Sequence, residues 1–404
     1  MYWAGQLVSA LGTRIRSVAT PLLVLAITGS PAAAGASMFA FTLPMVLLTL
    51  PAGAILDRVD RKRVMLACEA VRGLAASSIA LGLWAGRLSF AQVLVVSVVG
   101  GMAYPFFVVG ERSALRHLVP TPQLPAAIAQ ISAREFTGLA AGQTLGGLLF
   151  GLGRLLPFLA DALSYLISFI SLLVVRGRFH ERRADVPRPL NREIGEGLAW
   201  AWRSPLIRTT ALLSAGLDSV TNALYLAVIV AALRRGATPE IVGLLLGFMG
   251  VAGVVGSVVA TRLARALSLR QVAVVTLGTW TLLTPSLALA PSPLVIGAIL
   301  GLMFVFHPAW GASVGAWQVR VVPRPLLSRV QSAIMLIALG TVPVAQLLTG
   351  VLIQALGPGP TIFLLAGALL LVLAGALLSA SLRQPPHEPQ PAPAPFVRKP
   401  EPAD

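Results

Sequence analysis

The stretch GAILDRVDRKRVML, residues 53–66, carries six ionisable side chains within seven positions and lies between two long apolar segments. These side chains are Asp57, Arg58, Asp60, Arg61, Lys62 and Arg63. A helix of roughly 20 apolar residues crosses the hydrocarbon core of a bilayer, and basic residues collect in the loops that join such helices. The stretch is therefore typical of a short polar loop between two membrane-spanning helices.

The composition of the whole chain agrees with this interpretation. Of its 404 residues, 56% are hydrophobic and only 11% are charged, and the mean hydropathy is +0.83. Soluble domains are about half apolar and about a quarter charged, so the sequence predicts an integral membrane protein. The single Cys68 excludes an intramolecular disulfide, and the four histidines are scattered. We therefore expect no metal site and no cofactor.

Twelve apolar segments are long enough to cross a bilayer as helices. Clusters of Gly and Pro, such as TGSPAAAG at residues 28–35, separate several of them and mark turns. The sequence thus predicts an all-α membrane fold. The predicted spans are 3–28, 33–55, 64–86, 89–112, 126–150, 154–176, 208–233, 241–262, 271–290, 294–316, 331–355 and 361–382.

The net charge of +16 is distributed unevenly between the loops. With the N-terminus in the cytoplasm, the loops and the tail on the cytoplasmic side contain about 23 of the 31 basic residues, an excess that the positive-inside rule predicts. We therefore expect both chain ends in the cytoplasm. The same distribution explains the charge without a nucleic-acid partner.

Similar residues recur 204 positions apart in the sequence, which divides it into two related halves. Adding 204 to Arg58, Arg61 and Arg116 leads to Arg262, Arg265 and Arg320 at equivalent places in the second half. We predict a first bundle of six helices at residues 1–176 and a second at residues 208–383. The linker, residues 177–207, contains a predicted interfacial helix, because apolar residues after Asn191 recur on one helical face. The Pro-rich tail, residues 384–404, is predicted to be disordered and cytoplasmic.

Residues 53–62 resemble the loop signature between the second and third helices of the major facilitator superfamily, G-x-L-a-D-R-x-G-R-K. Asp60 stands where glycine is usual, as in the branch of macrolide-efflux proteins and the enterobactin exporter. Further similar stretches are YWAGQLVSALG (2–12), TGSP (28–31), DALSYLIS (161–168) and RVVPRPLLSRVQS (320–332). The resemblance implies two pseudo-symmetric six-helix bundles in the bacterial inner membrane.

The resemblance also implies a gating role for the signature loop. The family aspartate, Asp57 here, contacts the N-terminus of the eleventh span, where the helix dipole favours an anion. Ser328 and Arg329 lie near that contact. The alternative is that the charges only fix the topology. The residues assigned to this conformational motif are Gly53, Asp57, Arg58, Asp60, Arg61, Lys62, Ser328 and Arg329.

The fifth span contains GLAAGQTLGG, residues 138–147, which resembles the antiporter signature of the same superfamily. Glycines four residues apart let helices approach closely, and the family pairs this helix with the eighth span across the two halves. The signature favours exchange-driven export, although Gln143 occupies the position of the expected proline. Close packing alone is the alternative. The motif residues are Gly138, Gly142, Gln143, Gly146 and Gly147.

Ionisable residues inside membrane helices are costly and are therefore candidate functional residues. Arg14 and Asp218 are 204 residues apart, and we hypothesise that they pair across a central cavity; the alternative is that each is satisfied locally. Glu135, beside Arg134, is a second protonation candidate because burial favours a neutral carboxyl. We interpret Glu69 and Arg72 as a structural pair. Other cavity candidates are Arg16, Tyr225, His307 and Trp310.

These observations predict a secondary exporter that works by alternating access and exchanges protons for lipophilic, macrolide-like drugs. An anionic metabolite such as a siderophore is the alternative substrate, because the buried arginines would attract it. A membrane receptor or enzyme is the alternative of another class, but no nucleophile–base set or attached soluble domain is visible. The sequence has no G-x-x-x-x-G-K-[ST] loop, so we expect the proton gradient, not ATP, to drive a monomer.

Overall fold

The computed structural model describes residues 2–56, 58–118, 124–174, 190–323 and 326–383. Within these ranges, only the backbone is described at residues 2–4, 54, 112–118, 124–136, 190–194, 261, 264, 265 and 328. Asp57 and the predicted tail, residues 384–404, lie outside the described residues.

Six long helices form the first half of the molecule. Their backbone N–H and C=O groups bond within each helix, as a segment in hydrocarbon requires. Each lies within a few residues of its predicted span at most ends, and α4 extends furthest beyond it. They are α1 (Tyr2–Thr28), α2 (Pro31–Leu56), α3 (Arg61–Trp84), α4 (Phe90–Leu118), α5 (Leu124–Leu152) and α6 (Leu156–Val174).

The second half begins after a short amphipathic helix, α7 (Leu190–Arg203), which coincides with the predicted interfacial helix. Trp200 and Ala201 of α7 are buried, whereas Trp202 is half exposed. The following helices are α8 (Pro205–Arg234), α9 (Pro239–Ala266), α10 (Leu269–Leu289), α11 (Pro293–Val321), α12 (Leu327–Gly340), α13 (Val342–Leu356), α14 (Pro358–Leu378) and the four-residue α15 (Ala380–Arg383).

The predicted all-α membrane fold is confirmed. Eleven segments of the described residues are long and apolar enough to cross a bilayer, one of which, Arg329–Leu356, combines α12 and α13. The twelfth is α5, a helix of 29 residues that occupies the position of the fifth predicted span. The described residues contain no β-strand.

The predicted span 331–355 is present, but its helix is interrupted. The helix ends at Gly340 and a new one begins at Val342. Pro343 explains the break, because proline has no N–H and its ring clashes with the carbonyl four residues earlier. The hydroxyls of Thr341, at the break, and Ser219 of α8 are 2.7 Å apart and share a hydrogen bond.

The two halves pack with the same internal pattern. In the first half α2 packs on α4 and α3 on α6; in the second, α9 packs on α11 and α10 on α14. The halves meet mainly through α5 on α9 and α2 on α13. We call the membrane face at which α1 begins and α14 ends the terminal face, and the opposite face, near Thr28 and Pro31, the distal face.

Candidate functional site

A cavity of about 380 Å³ lies between the two halves. Helices α1, α2, α4 and α5 supply its walls from the first half, and α8, α9, α11, α12 and α13 from the second. Apolar atoms form most of the lining surface, although twelve of the 23 lining residues carry a hydroxyl, amide or guanidinium group besides the two tyrosines. Small-molecule sites have this character, since apolar walls provide affinity and a few polar groups fix orientation.

Two arginines of α1 supply the charge at the cavity wall, and no carboxylate lines the cavity among the described side chains. Arg16 forms a buried ion pair with Asp161 of α6, with Nε 3.0 Å from Oδ2, and its guanidinium lies 5.3 Å from the centre of the Phe41 ring. Arg14 makes no ion pair with a described residue. Among the described side chains, Arg14 is therefore the charged residue at the cavity wall without an ion-pair partner.

Three buried polar atoms around the cavity lack a hydrogen-bond partner. They are Oε1 of Gln143, Oη of Tyr225 and Oε1 of Gln346. Buried polar groups in proteins are nearly always paired, so these atoms mark unusual places in the cavity wall. Tyr225 was predicted as a cavity residue, whereas Gln143 was predicted only as part of the glycine motif and Gln346 was not predicted.

The distal side of the cavity is closed where the two halves touch through glycines. A Cβ atom added to Gly147 of α5 would lie 2.5 Å from Cα of Gly243 of α9, and one added to Gly35 of α2 would lie 3.0 Å from Cα of Gly350 of α13. Close to this second contact, the Ser30 hydroxyl donates a hydrogen bond of 2.9 Å to the Gln354 side chain.

The α5 motif contacts two different helices. A Cβ atom added to Gly142 would lie 2.5 Å from Cβ of Arg14, and one added to Gly146 would lie 2.7 Å from the Ile15 carbonyl oxygen. Gly138 lies nearest to the Arg14 side chain as well. The motif therefore holds α1 on one side and, through Gly147, α9 on the other.

The hypothesised pair of Arg14 and Asp218 is not formed in this structure. Arg14 lines the cavity, but Asp218 does not, and no ion pair joins them. Asp218 lies one helical turn nearer the terminal face than Thr221 and Asn222, which do line the cavity. The spacing of 204 residues predicted that Arg14 and Asp218 lie at similar depths in their two helices. It did not predict how far apart the two side chains are.

Two further predicted cavity residues also lie outside the lining. His307 of α11 stacks on Phe304, with ring centres 5.5 Å apart, and lies 5.8 Å from the Trp280 ring. Trp310 is buried and its Nε1 donates a hydrogen bond of 3.0 Å to the Ser214 hydroxyl. Both side chains therefore pack inside the second half. The side chains of Arg134 and Glu135 are not described.

The signature loop is described except for Asp57. Asp60 caps the N-terminus of α3, because its Oδ1 accepts hydrogen bonds from the backbone N–H groups of Lys62 and Arg63 at 2.9 and 3.4 Å. Lys62 Nζ donates to the carbonyl oxygen of Leu173 at the end of α6. Arg58 is exposed, and a Cβ atom added to Gly53 would meet open space. The capping role of Asp60 was missed, although aspartate before a helix start is a known signal.

Arg329, predicted near the family latch, contacts the amphipathic helix. Its Nη1 lies 2.7 Å from Oε2 of Glu196 in α7. A Cβ atom added to Gly197 would lie 2.5 Å from the Arg329 carbonyl oxygen, so α7 packs closely on the start of α12. The side chain of Ser328 is not described.

The expected structural pair of Glu69 and Arg72 is also not formed. Glu69 accepts hydrogen bonds from the hydroxyls of Ser9 and Ser168 at 3.2 and 2.9 Å. Arg72 Nη2 instead donates to Thr13 Oγ1 and Tyr165 Oη, each at 2.8 Å. The one-turn spacing within α3 was misleading, because each side chain finds its partners on α1 and α6. Asp161, an acidic residue within an otherwise apolar span, was the signal that could have revealed this cluster.

The chain matches the family described as transmembrane secretion effectors over residues 1–402. It belongs to that family. Its relatives include the multidrug efflux pump Tap of Mycolicibacterium fortuitum, 27% identical over 394 residues and 94% of each chain. Macrolide efflux protein A of Streptococcus pyogenes is 24% identical over 199 residues, 49% of each chain.

Solved structures show the same fold for this transmembrane secretion effector. A bacterial homologue of the human lysosomal transporter Spinster, in an inward-facing and occupied conformation, superposes with a TM-score of 0.75 at 14% identity, covering 94% of this chain and 96% of that one. The family match and the efflux relatives confirm the predicted resemblance to the major facilitator superfamily. This transmembrane secretion effector is a multi-pass membrane transporter.

Proposed function

We propose that this protein exports small molecules across the bacterial inner membrane by alternating access. The observation that carries the proposal is a cavity at mid-depth between two similar bundles, with the tight glycine contacts between them on the distal side. Transporters built from two such repeats bind substrate at the interface and rock the halves about it. The closed distal side then corresponds to one end state of the cycle.

The orientation follows from the loop charges. The terminal face carries most of the arginines and lysines, so it faces the cytoplasm by the positive-inside rule. A cavity closed distally is then closed towards the outside, which is the state that receives a substrate from the cytoplasm or the inner leaflet. Breaking the glycine contacts, with closure around the signature loop, would expose it to the outside.

The proposed substrates are lipophilic drugs of the macrolide type. The largely apolar lining supports this class, as do the names of the relatives Tap and macrolide efflux protein A. We further propose that a monomer carries out transport and that proton exchange, not ATP, supplies the energy. The resemblance of residues 138–147 to the antiporter signature supports exchange.

Transport by purified protein in liposomes tests the proposal. Protein inserted with its terminal face outward should accumulate a radiolabelled macrolide when the lumen is more acidic, and should lose the accumulation when the pH gradient is collapsed. Liposomes without protein are the control. No pH-driven accumulation of macrolides or of the anionic compounds below would refute proton-coupled export.

Anionic metabolites, such as catecholate siderophores, are the second candidate class. Arg14 supports it, because this arginine lines the cavity without an ion-pair partner and no described carboxylate is there to oppose an anion. A charge-assisted hydrogen bond contributes about 1.5–3 kcal/mol.

Arg14→Gln separates the two classes. It should weaken binding of an anionic substrate by about tenfold or more and should not weaken binding of a macrolide, which carries no anionic group. Arg87→Gln, in an exposed turn between α3 and α4, is the matched control. An equal loss for both compounds would show that Arg14 acts on the fold and not on the substrate.

A further inference from the structure

A buried polar network joins α1, α3 and α6 beside the cavity. It contains two arginines and two carboxyl groups: Arg16 on α1, Glu69 and Arg72 on α3, and Asp161 on α6. Asp161 is fully buried and the other three are at most 9% exposed. Charged side chains inside a membrane domain are costly and are usually retained for transport.

The four charges are not paired equally. Arg16 and Asp161 form an ion pair and cancel each other. The direct contacts of Arg72 are with neutral groups: the hydroxyls of Thr13 and Tyr165, and the ring faces of Tyr104, Phe107 and Tyr165 at 4.3–5.8 Å. The charge of Arg72 is thus stabilised without a carboxylate in direct contact.

Glu69 is the carboxyl without a cationic partner. It is 1% exposed, and no arginine, lysine or histidine forms an ion pair with it among the described residues. Serine hydroxyls donate to Oε1, and Oε2 is buried with no hydrogen-bond partner. An ionised carboxylate is very costly in such surroundings, whereas a protonated one is not.

The network reaches the cavity directly. Thr13, which accepts a hydrogen bond from Arg72, lines the cavity, as do Arg16 and Tyr104. Thr13 and Tyr165 hydroxyls are also within 3.3 Å of each other. Glu69 is linked to this wall through Ser9, whose hydroxyl donates to Glu69 and whose carbonyl oxygen accepts a hydrogen bond of 2.9 Å from Thr13.

We propose that Glu69 is the site that binds and releases the coupling proton, with Arg72 and the Arg16–Asp161 pair linking it to the substrate cavity. This inference rests on the proposed export function. The titratable or charged groups around it are Cys68 and Arg72 on α3, Arg16 on α1, Asp161 and Tyr165 on α6, and Tyr104 and Glu111 on α4.

The sign of the coupling follows from the charges. With Glu69 ionised, the four charged groups sum to zero; with Glu69 protonated, they sum to plus one. A positively charged substrate in the cavity then weakens proton binding, and a bound proton weakens binding of that substrate. By linkage this mutual exclusion is what proton exchange requires. An anionic substrate produces the opposite sign and would bind together with the proton.

Infrared spectroscopy tests the proton site without any substrate. In the full-length protein in lipid, the carbonyl stretch of a protonated carboxylic acid should appear as the pH is lowered through a defined midpoint. Glu69→Gln should remove the component of this band that titrates at that midpoint, whereas Glu240→Gln, at a partly exposed carboxyl near the distal face, should retain it. An unchanged band in Glu69→Gln, or no such band in the wild type, would overturn the proposal.

Liposome transport tests the coupling. Glu69→Gln should retain substrate exchange at equal pH on both sides and lose pH-driven accumulation by about tenfold or more. Glu69→Asp, which keeps the carboxyl, should restore accumulation with a shifted pH profile. This variant separates loss of the proton site from a folding defect at position 69. If Asp218→Asn abolishes the pH drive and Glu69→Gln does not, Glu69 is not the coupling site.

The two proposals fail in different ways. If the wild type carries the Glu69 band but moves none of the test compounds, the export proposal is wrong for them and the proton site stands. If the wild type accumulates compounds under a pH gradient and Glu69→Gln does so equally well, the coupling proposal is wrong and export stands.

Discussion

The two halves of this protein share one arrangement of helices but differ in the side chains that they bury. In the first half, Arg16, Glu69, Arg72 and Asp161 are buried together. Adding 204 to their numbers leads to Val220, Ala273, Thr276 and Leu365 in the second half, of which all but the partly exposed Leu365 are buried. Because the second half packs α8, α10 and α14 without charges at these positions, the bundle does not require them. This difference is what the proposed role of the charges in transport predicts.

The largest expected effect comes from breaking the buried ion pair. Asp161→Asn leaves Arg16 charged and uncompensated, and removal of one partner of a buried pair costs about 3–5 kcal/mol. We expect a strongly lowered midpoint of thermal unfolding for the purified protein in detergent.

The second half supplies the matched control for this prediction. The double variant Arg16→Val/Asp161→Leu copies the residues at the equivalent positions and should recover most of the stability, because apolar replacement of a buried pair is often neutral. It should remain defective in pH-driven transport. Full recovery of transport would show that the pair serves only the fold.

A second prediction concerns the contact between the halves. Gly147→Ala places a methyl group against Gly243, and overpacking of this kind costs about 1–3 kcal/mol. We expect the distal closure to loosen, so a cysteine introduced at Gln346 should react faster with a membrane-impermeant thiol reagent added from the distal side. The background for this assay is a Cys68→Ser variant.

Gly278→Ala is the control for Gly147→Ala. A Cβ atom at Gly278 of α10 would meet open space, so this exchange should change neither reactivity nor transport. If Gln346→Cys reacts equally fast in the Gly147→Ala and Gly278→Ala proteins, the contact between α5 and α9 does not keep the distal side of the cavity closed.

The smallest expected effect lies in the loop between α2 and α3. Asp60→Ala removes the N-cap of α3, which is typically worth about 1 kcal/mol. We expect a modest fall in thermal stability, with transport largely retained. Asp60→Asn, which keeps a capping side chain, should behave like the wild type. A complete loss of transport in Asp60→Asn would assign the loop charge a role beyond capping.

Apolar segment length and the loop signature were sufficient to predict the fold, because helices in hydrocarbon must satisfy their own backbone groups. The candidate site was harder. Arg14, Arg16 and Tyr225 line the cavity as expected, whereas Asp218, His307 and Trp310 do not. Sequence position gives the depth of a residue along a helix, but the rotation of that helix against its neighbours depends on packing.

The same limit explains the buried network. Glu69 and Arg72 are one turn apart on α3, which suggested a pair, yet their partners come from α1 and α6. Gly12 of α1 illustrates the cause, since a Cβ atom there would overlap the Ser164 side chain of α6. The close approach of α1 and α6 brings Arg16 to Asp161. The sequence of α3 alone could not predict this approach.

The interruption at Thr341 has a mechanical consequence. A continuous α-helix moves as one rod, whereas a helix broken at proline can bend there at little cost. Both α12 and α13 pack on α8 of their own half, α12 also packs on α7, and α13 also packs on α2 across the interface. In the alternating access that we propose, the bend at the hydroxyl pair of Ser219 and Thr341 would therefore lie where a helix held by its own half continues into one that also contacts the other half.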